Sequence, residues 1–180
     1  SQTNVPPYTP LWTQMFVDNL ERAYGTRIRM VDTALGGTDT RWGIENLKTH
    51  VIDYRPDLAV IGFGANDRLT PGEFKDNIQH IMESVSKECP ETEFILVDPM
   101  TPNRFISQPN GYRWYVLQDR YAEQHKKLEG PGVAVMEITR VHLQLQEIKR
   151  FWDMSANNVN HPNDFLYRVM AQVCSALLIA

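Results

Sequence analysis

Short apolar runs at residues 27–33, 58–63, 94–97 and 133–136 alternate with longer stretches whose apolar residues recur at helical spacing. Strands joined through helices cannot form hairpins, so this rhythm predicts a parallel sheet covered by helices on both faces. The helical stretches carry their own punctuation. Leu11, Met15 and Leu20, with Trp12 and Phe16, make a stripe that Gly25 ends. Asp39 or Thr40 can cap a helix bearing Trp42, Ile44, Leu47 and Val51. Thr70-Pro71-Gly72-Glu73 combines a capping threonine, a first-turn proline and a glutamate that can complete a capping box. Helices are also expected at 112–129, 139–149 and 164–178. No repeat, linker or low-complexity tract divides the chain, so residues 1–180 are read as a single domain. One element breaks the pattern: a doubly wound domain should begin with a strand, yet the first element here is a helix.

Composition narrows the function. A net charge of −4 with interspersed signs and no basic stripe argues against a nucleic-acid surface. No apolar stretch reaches the roughly 18 residues that a membrane span requires. Cys89 and Cys174 give neither a metal-ligand spacing nor a disulfide framework, and are read as free, structural thiols. A nucleotide-binding flavodoxin-like domain is disfavoured because no glycine-rich phosphate loop appears.

Three short motifs stand where chemistry is expected. Gly36-Gly37-Thr38 follows the 27–33 run, Gly64-Ala65-Asn66-Asp67 follows the 58–63 run, and Asn158-Val159-Asn160-His161-Pro162 precedes the last helix. Each has an ordinary explanation: a tight turn for the glycines, an Asx turn for Asn66, a helix start for His161. In open α/β sheets, however, ligands sit beyond the carboxyl ends of the strands, where such loops gather. An asparagine amide and a histidine facing one cleft would supply an oxyanion donor and a general base, two parts of an acyl-transfer site.

At these residues the chain resembles the SGNH hydrolases, also called the GDSL esterase/lipase superfamily. That family contributes a Ser, a Gly, an Asn and a His from four blocks in order. The second block resembles Asp32–Thr38, with Gly37 matching the oxyanion glycine. The third matches Gly64-Ala65-Asn66-Asp67, and the last resembles Asn158–Asn163, with His161 as the base. The resemblance implies a flavodoxin-like three-layer α/β/α sandwich. Two departures stand out. The first block, a strand ending in Gly-Asp-Ser, is absent, and none of Ser1, Ser84, Ser86, Ser107, Ser155 and Ser175 follows a strand with that motif. Tyr8-Thr9-Pro10-Leu11-Trp12 resembles the entry to the family's first helix, so the chain is expected to be incomplete at its amino terminus, lacking the first strand. Asn158 also stands where the family has an aspartate three residues before the histidine. Asparagine can accept from the imidazole but brings no charge. Another carboxylate, Asp153 or Asp164 nearby in sequence, or a backbone carbonyl could orient the ring instead, or the base is weaker.

The resemblance implies a serine ester hydrolase of carboxylesterase or acetylesterase type, which requires no metal or organic cofactor. Its substrate would be a small-molecule or carbohydrate ester, and the polar loop at 101–111 leans toward carbohydrate deacetylation. Loops 38–42 and 98–114 would shape the pocket, with Trp42, Phe105, Tyr112 and Trp114 stacking on a sugar or packing an acyl chain. The same aromatics could equally be core. Lysophospholipase or thioesterase activity, and a catalytically inactive SGNH-like binding domain, are the alternatives. An upstream segment or second chain is expected to complete the sheet between the 27–33 and 58–63 runs. The resemblance leans toward a secreted or periplasmic location.

Overall fold

In the computed structural model, which describes residues 10–105 and 115–179, the sheet is built from the second, third and fourth apolar runs. These are β1 (Leu58–Ile61), β2 (Glu93–Val97) and β3 (Val133–Met136). They pair in parallel in the order β1-β2-β3, with Ala59 opposite Phe94 and Ile95 opposite Ala134. The connections are helical, as parallel pairing requires. α1 (Trp12–Tyr24) and α2 (Thr40–His50) precede the sheet, and α3 (Pro71–Glu88) joins β1 to β2. α4 (Tyr115–Lys126) joins β2 to β3, and α5 (Ile138–Leu145) and α6 (Asp164–Ser175) close the chain. The fold is an α/β sandwich with helices on both faces of a parallel sheet.

The two faces follow from strand alternation. Phe94 and Leu96 of β2 join Ala59 and Ile61 of β1 against Phe74, Ile78, Ile81 and Val85 of α3, with Leu47 of α2 and Tyr121 of α4. Ile95 and Val97 point the other way, into Phe16 and Leu20 of α1, Ile138 of α5 and Leu166 and Met170 of α6. Phe74, Ile78, Val85 and Leu96 are completely buried. Each such side chain contributes about 1.5–3 kcal/mol relative to exposure. The start of α3 is capped as the sequence foretells. Thr70 Oγ1 accepts from the Glu73 N–H at 3.3 Å, and the Glu73 carboxylate accepts from the Thr70 N–H at 2.9 Å.

The first apolar run does not form a strand. Residues 26–35 form no regular secondary structure, and Met30, Val31 and Leu35 are exposed. β propensity alone does not hold a strand without a neighbour on which to pair. Correspondingly, β1 has no strand partner on its outer edge among the described residues, and Val60, on the α1/α6 face, is 40% exposed. The expected helix at 139–149 stops at Leu145, and residues 146–148 form turns. Trp42 lies on α2, and its ring meets His50 edge-on at 4.9 Å.

Candidate active site

The loop leaving β1 is fixed by its own sequence. Gly64 takes φ +100, a conformation that a side chain rarely adopts, and a Cβ there would also crowd Pro99 and Tyr121 at 3.3 Å. Asp67 folds back so that Oδ2 accepts from the Gly64 N–H at 2.9 Å. At the far end of the loop, Tyr121 Oη accepts from the Leu69 N–H at 3.0 Å and donates to the Leu69 carbonyl at 2.7 Å. Between these two clamps the side chain of Asn66 is held outward and exposed.

The Gly37 loop is brought to Asn66 by α2. Gly43, inside that helix, lies so close to Phe63 that a Cβ would meet the ring at 2.6 Å. This close approach seats the amino terminus of α2 beside the exit of β1. Asp39 caps the helix by accepting from the Trp42 N–H at 3.1 Å. Gly37 has φ +85, and Asn66 Nδ2 donates to the neighbouring Thr38 carbonyl at 3.1 Å. Gly37 and Asn66 thus line one cavity of about 340 Å³, together with Ala65, Arg41, Arg68 and Gln118. Asn66 has a second Nδ2 hydrogen beyond the one given to Thr38, so it can also donate to a developing oxyanion.

His161 comes from another loop and does not line that cavity. Its loop is organised by Asn157, whose Oδ1 accepts from the N–H groups of Val159, Asn160 and His161 at 2.9–3.0 Å. Asn158 sits in the left-handed region at φ 57, which asparagine tolerates well. Asn103, on the loop after β2, ties this loop to the sheet. Its N–H donates to the Val159 carbonyl at 2.7 Å and its Nδ2 to the Asn158 carbonyl at 3.0 Å. Asn163 then caps α6 by accepting from the Leu166 N–H at 3.2 Å. Burial lowers the His161 pKa, which keeps the imidazole neutral at neutral pH and able to take a proton.

No hydrogen-bond partner of the His161 ring occurs among the described residues. The Asn158 side chain is turned to Asn103, and the Asp153 carboxylate pairs with Arg150 at 3.2 Å. The Ser155 hydroxyl donates to the His161 carbonyl at 3.0 Å, not to its ring. Ser84 and Ser86 lie within α3, and Ser175 Oγ accepts from Asn19 at 3.0 Å. Phe105 is 90% exposed, while Tyr112 and Trp114, like Ser1 and Ser107, lie outside the described residues. No cluster of metal-ligating side chains occurs among the described residues, and no helix there is long and apolar enough to cross a membrane.

A family model of GDSL-like lipases and acylhydrolases matches residues 2–169. The chain belongs to the GDSL-like lipase/acylhydrolase family. Its fold is shared with solved structures at low identity. A Parabacteroides merdae protein described as a GDSL-like lipase superposes with a TM-score of 0.78 at 14% identity, over 92% of this chain and 82% of its own. An acetylxylan esterase from Geobacillus stearothermophilus gives 0.76 at 16%, over 91% and 78%. A lipase/acylhydrolase from Enterococcus faecalis gives 0.71 at 17%, over 94% and 85%. In the Geobacillus esterase, the variants called catalytic mutants replace a serine, an aspartate and a histidine three residues after that aspartate. A comparison with curated proteins finds no match.

Several residues of the site were not singled out from sequence. Arg41, Arg68 and Gln118 line the cavity, and Asn103 anchors the histidine loop. Arg41 and Arg68 flank the two motifs and could have been flagged from that position. Asn103 and Gln118 carry no local signal, because their partners lie 55 and 53 residues away.

Proposed function

We propose that this family member is a serine ester hydrolase acting on short acyl esters of hydroxylated, carbohydrate-like alcohols, with its nucleophile on a strand outside these residues. The observation that carries the reading is the meeting of the Gly37 backbone and the Asn66 carboxamide in one cavity. In the reaction, the serine hydroxyl attacks the ester carbonyl while His161 takes its proton. Gly37 N–H and Asn66 Nδ2 hold the tetrahedral oxyanion. His161 then returns the proton to the departing alcohol, and water repeats the sequence on the acyl-enzyme. Each oxyanion donor is typically worth roughly 2.7–4 kcal/mol in the transition state. Asn158 keeps the position that the aspartate has in the Geobacillus esterase, and supports the base by fixing its loop through Asn103.

A strand carrying the nucleophile would fit the outer edge of β1, which has no strand neighbour among the described residues and where Val60 is exposed. Main-chain hydrogen bonds to a strand bound there would stabilise the fold, and the same strand would deliver the serine. The cavity wall is dominated by arginine, aspartate and amide groups, with Ala65 and Leu69 as its apolar side chains. Such a wall favours an acetyl-sized acyl group and a hydroxylated alcohol over a long lipid chain. The acetylxylan specificity named for the Geobacillus relative agrees with this lean.

The test is hydrolysis of a short acetyl ester by the chain alone and by the chain joined to a Gly-Asp-Ser strand, each followed through thermal unfolding. The expected result is an almost inert chain, and a joined protein that is both more stable and active in a serine-dependent way. A joined protein that is stabilised yet hydrolyses nothing would instead identify a binding domain of hydrolase ancestry.

A further inference from the structure

Asp67 lines the cavity, was not in the expected catalytic set, and is 4% exposed. Three donors converge on it from two chain segments. Oδ2 accepts from the Gly64 N–H at 2.9 Å, at the exit of β1. Oδ1 accepts from the Thr40 N–H at 3.0 Å and from Thr40 Oγ1 at 2.5 Å, at the start of α2. Thr40 Oγ1, itself completely buried, accepts in turn from Asn77 Nδ2 of α3 at 2.9 Å. One carboxylate therefore joins the loop that carries Asn66 to the helix start that carries the Gly37 loop.

A second rung between these loops runs from Asn66 Nδ2 to the Thr38 carbonyl. That rung belongs to the side chain that must itself adjust to the substrate. Asp67 supplies the connection that does not depend on Asn66. A carboxylate suits the place because both its oxygens accept, whereas an asparagine would aim an NH₂ group at one of the converging donors. We propose that Asp67 is the positioning residue of the oxyanion-binding pair, setting the distance between the Gly37 amide and the Asn66 carboxamide through Thr40. The role rests on the hydrolase reading for its kinetic consequence, although the geometry it controls can be measured without turnover.

The experiment compares Asp67→Asn, Thr40→Val, Asn66→Ala and the Asp67→Asn/Asn66→Ala double variant in the protein carrying its nucleophile strand. Asp67→Asn is expected to lower kcat by about 10²-fold with KM changed less than about threefold, because transition-state donors alone are misplaced. Thr40→Val, which removes one of the three donors and conserves the packing, should lower kcat by about tenfold. If Asp67 acts through Asn66, the double variant should be little worse than Asn66→Ala, since residues acting as a unit are non-additive. Multiplicative losses in the double variant, or an unchanged kcat in a folded Asp67→Asn protein, overturn the proposal. If Asp67→Asn fails to fold, Thr40→Val decides by the same criteria. If the unsubstituted protein hydrolyses no ester, the hydrolase reading fails. The positioning role is then decided by the nuclear Overhauser contact between the Gly37 N–H and the Asn66 side-chain amide. Its loss in Thr40→Val supports the role, and its persistence overturns it.

Discussion

The oxyanion half of the site and the histidine half are held by different means. Around Asn66, buried side chains from separate elements converge: Asp67 and Thr40 on one side, Tyr121 on the other. Around His161, one short loop is folded on its own backbone by Asn157 and tied down through Asn103. The first arrangement fixes a distance between loops that are remote in sequence. The second fixes a loop conformation and leaves the imidazole itself without a hydrogen-bond partner among the described residues. A donor site gains from rigidity, since preorganised dipoles need no rearrangement as charge develops. A base that must receive and return a proton can be oriented when substrate and nucleophile arrive.

The largest expected effect that sharpens this contrast comes from His161→Ala in the strand-completed protein. Serine-dependent hydrolysis should fall by about 10⁴-fold or more, while the melting temperature stays within about 2 °C, because the ring has no partner to lose. A large drop in melting temperature would show that the ring is structural after all. Next, Asn66→Ala should cost about 10²–10³ in kcat on a short acetyl ester, with KM little changed.

Acid should act through another histidine, on α5. His142 lies fully buried beneath the loop after β2, its Nδ1 2.7 Å from Thr101 Oγ1, which also accepts from Gln146 Nε2 at 2.9 Å. Burial pushes its pKa from 6.5 down to about 4, and Nε2 has no acceptor for the proton that an imidazolium would carry. The unfolded ring takes up its proton near pH 6.5 and the folded ring only near 4, so the unfolded state binds more protons between these values. Stability should therefore be fully present above about 6.5 and fall by about 3 kcal/mol as pH drops to 4. Urea unfolding across that range measures it, and His142→Gln should flatten the profile. The smallest effect belongs to Asn157→Ala. Losing the acceptor of three backbone N–H groups in an exposed loop should cost about 1 kcal/mol and roughly tenfold in activity. Hydrogen exchange at Val159, Asn160 and His161 should quicken, with Gly64 and Thr40 unaffected.

Much of the fold was legible because its signals are local. The capping box at Thr70–Glu73, the glycine stop at Gly25 and the apolar runs of β1, β2 and β3 need only neighbouring residues to act. The 27–33 run was misread as a strand because strand formation depends on a partner that local sequence does not contain. The same division runs through the site. Gly37, Asn66 and His161 stand in recognisable motifs, but the Asp67–Thr40 and Asn103–Asn158 links span 27 and 55 residues. Those links exist only once the helices have packed, so no window along the chain displays them.

The bare outer edge of β1 has a further consequence for handling the protein. Among the described residues no strand pairs with that edge, and an open row of backbone groups beside a half-exposed Val60 is a template for any extended segment, including one from another molecule. Self-association through that edge would rise with concentration and lengthen the sheet across molecules. A strand seated there would then act as a solubility factor as well as a carrier of chemistry, blocking the polymerising surface by the same hydrogen bonds that fix its place.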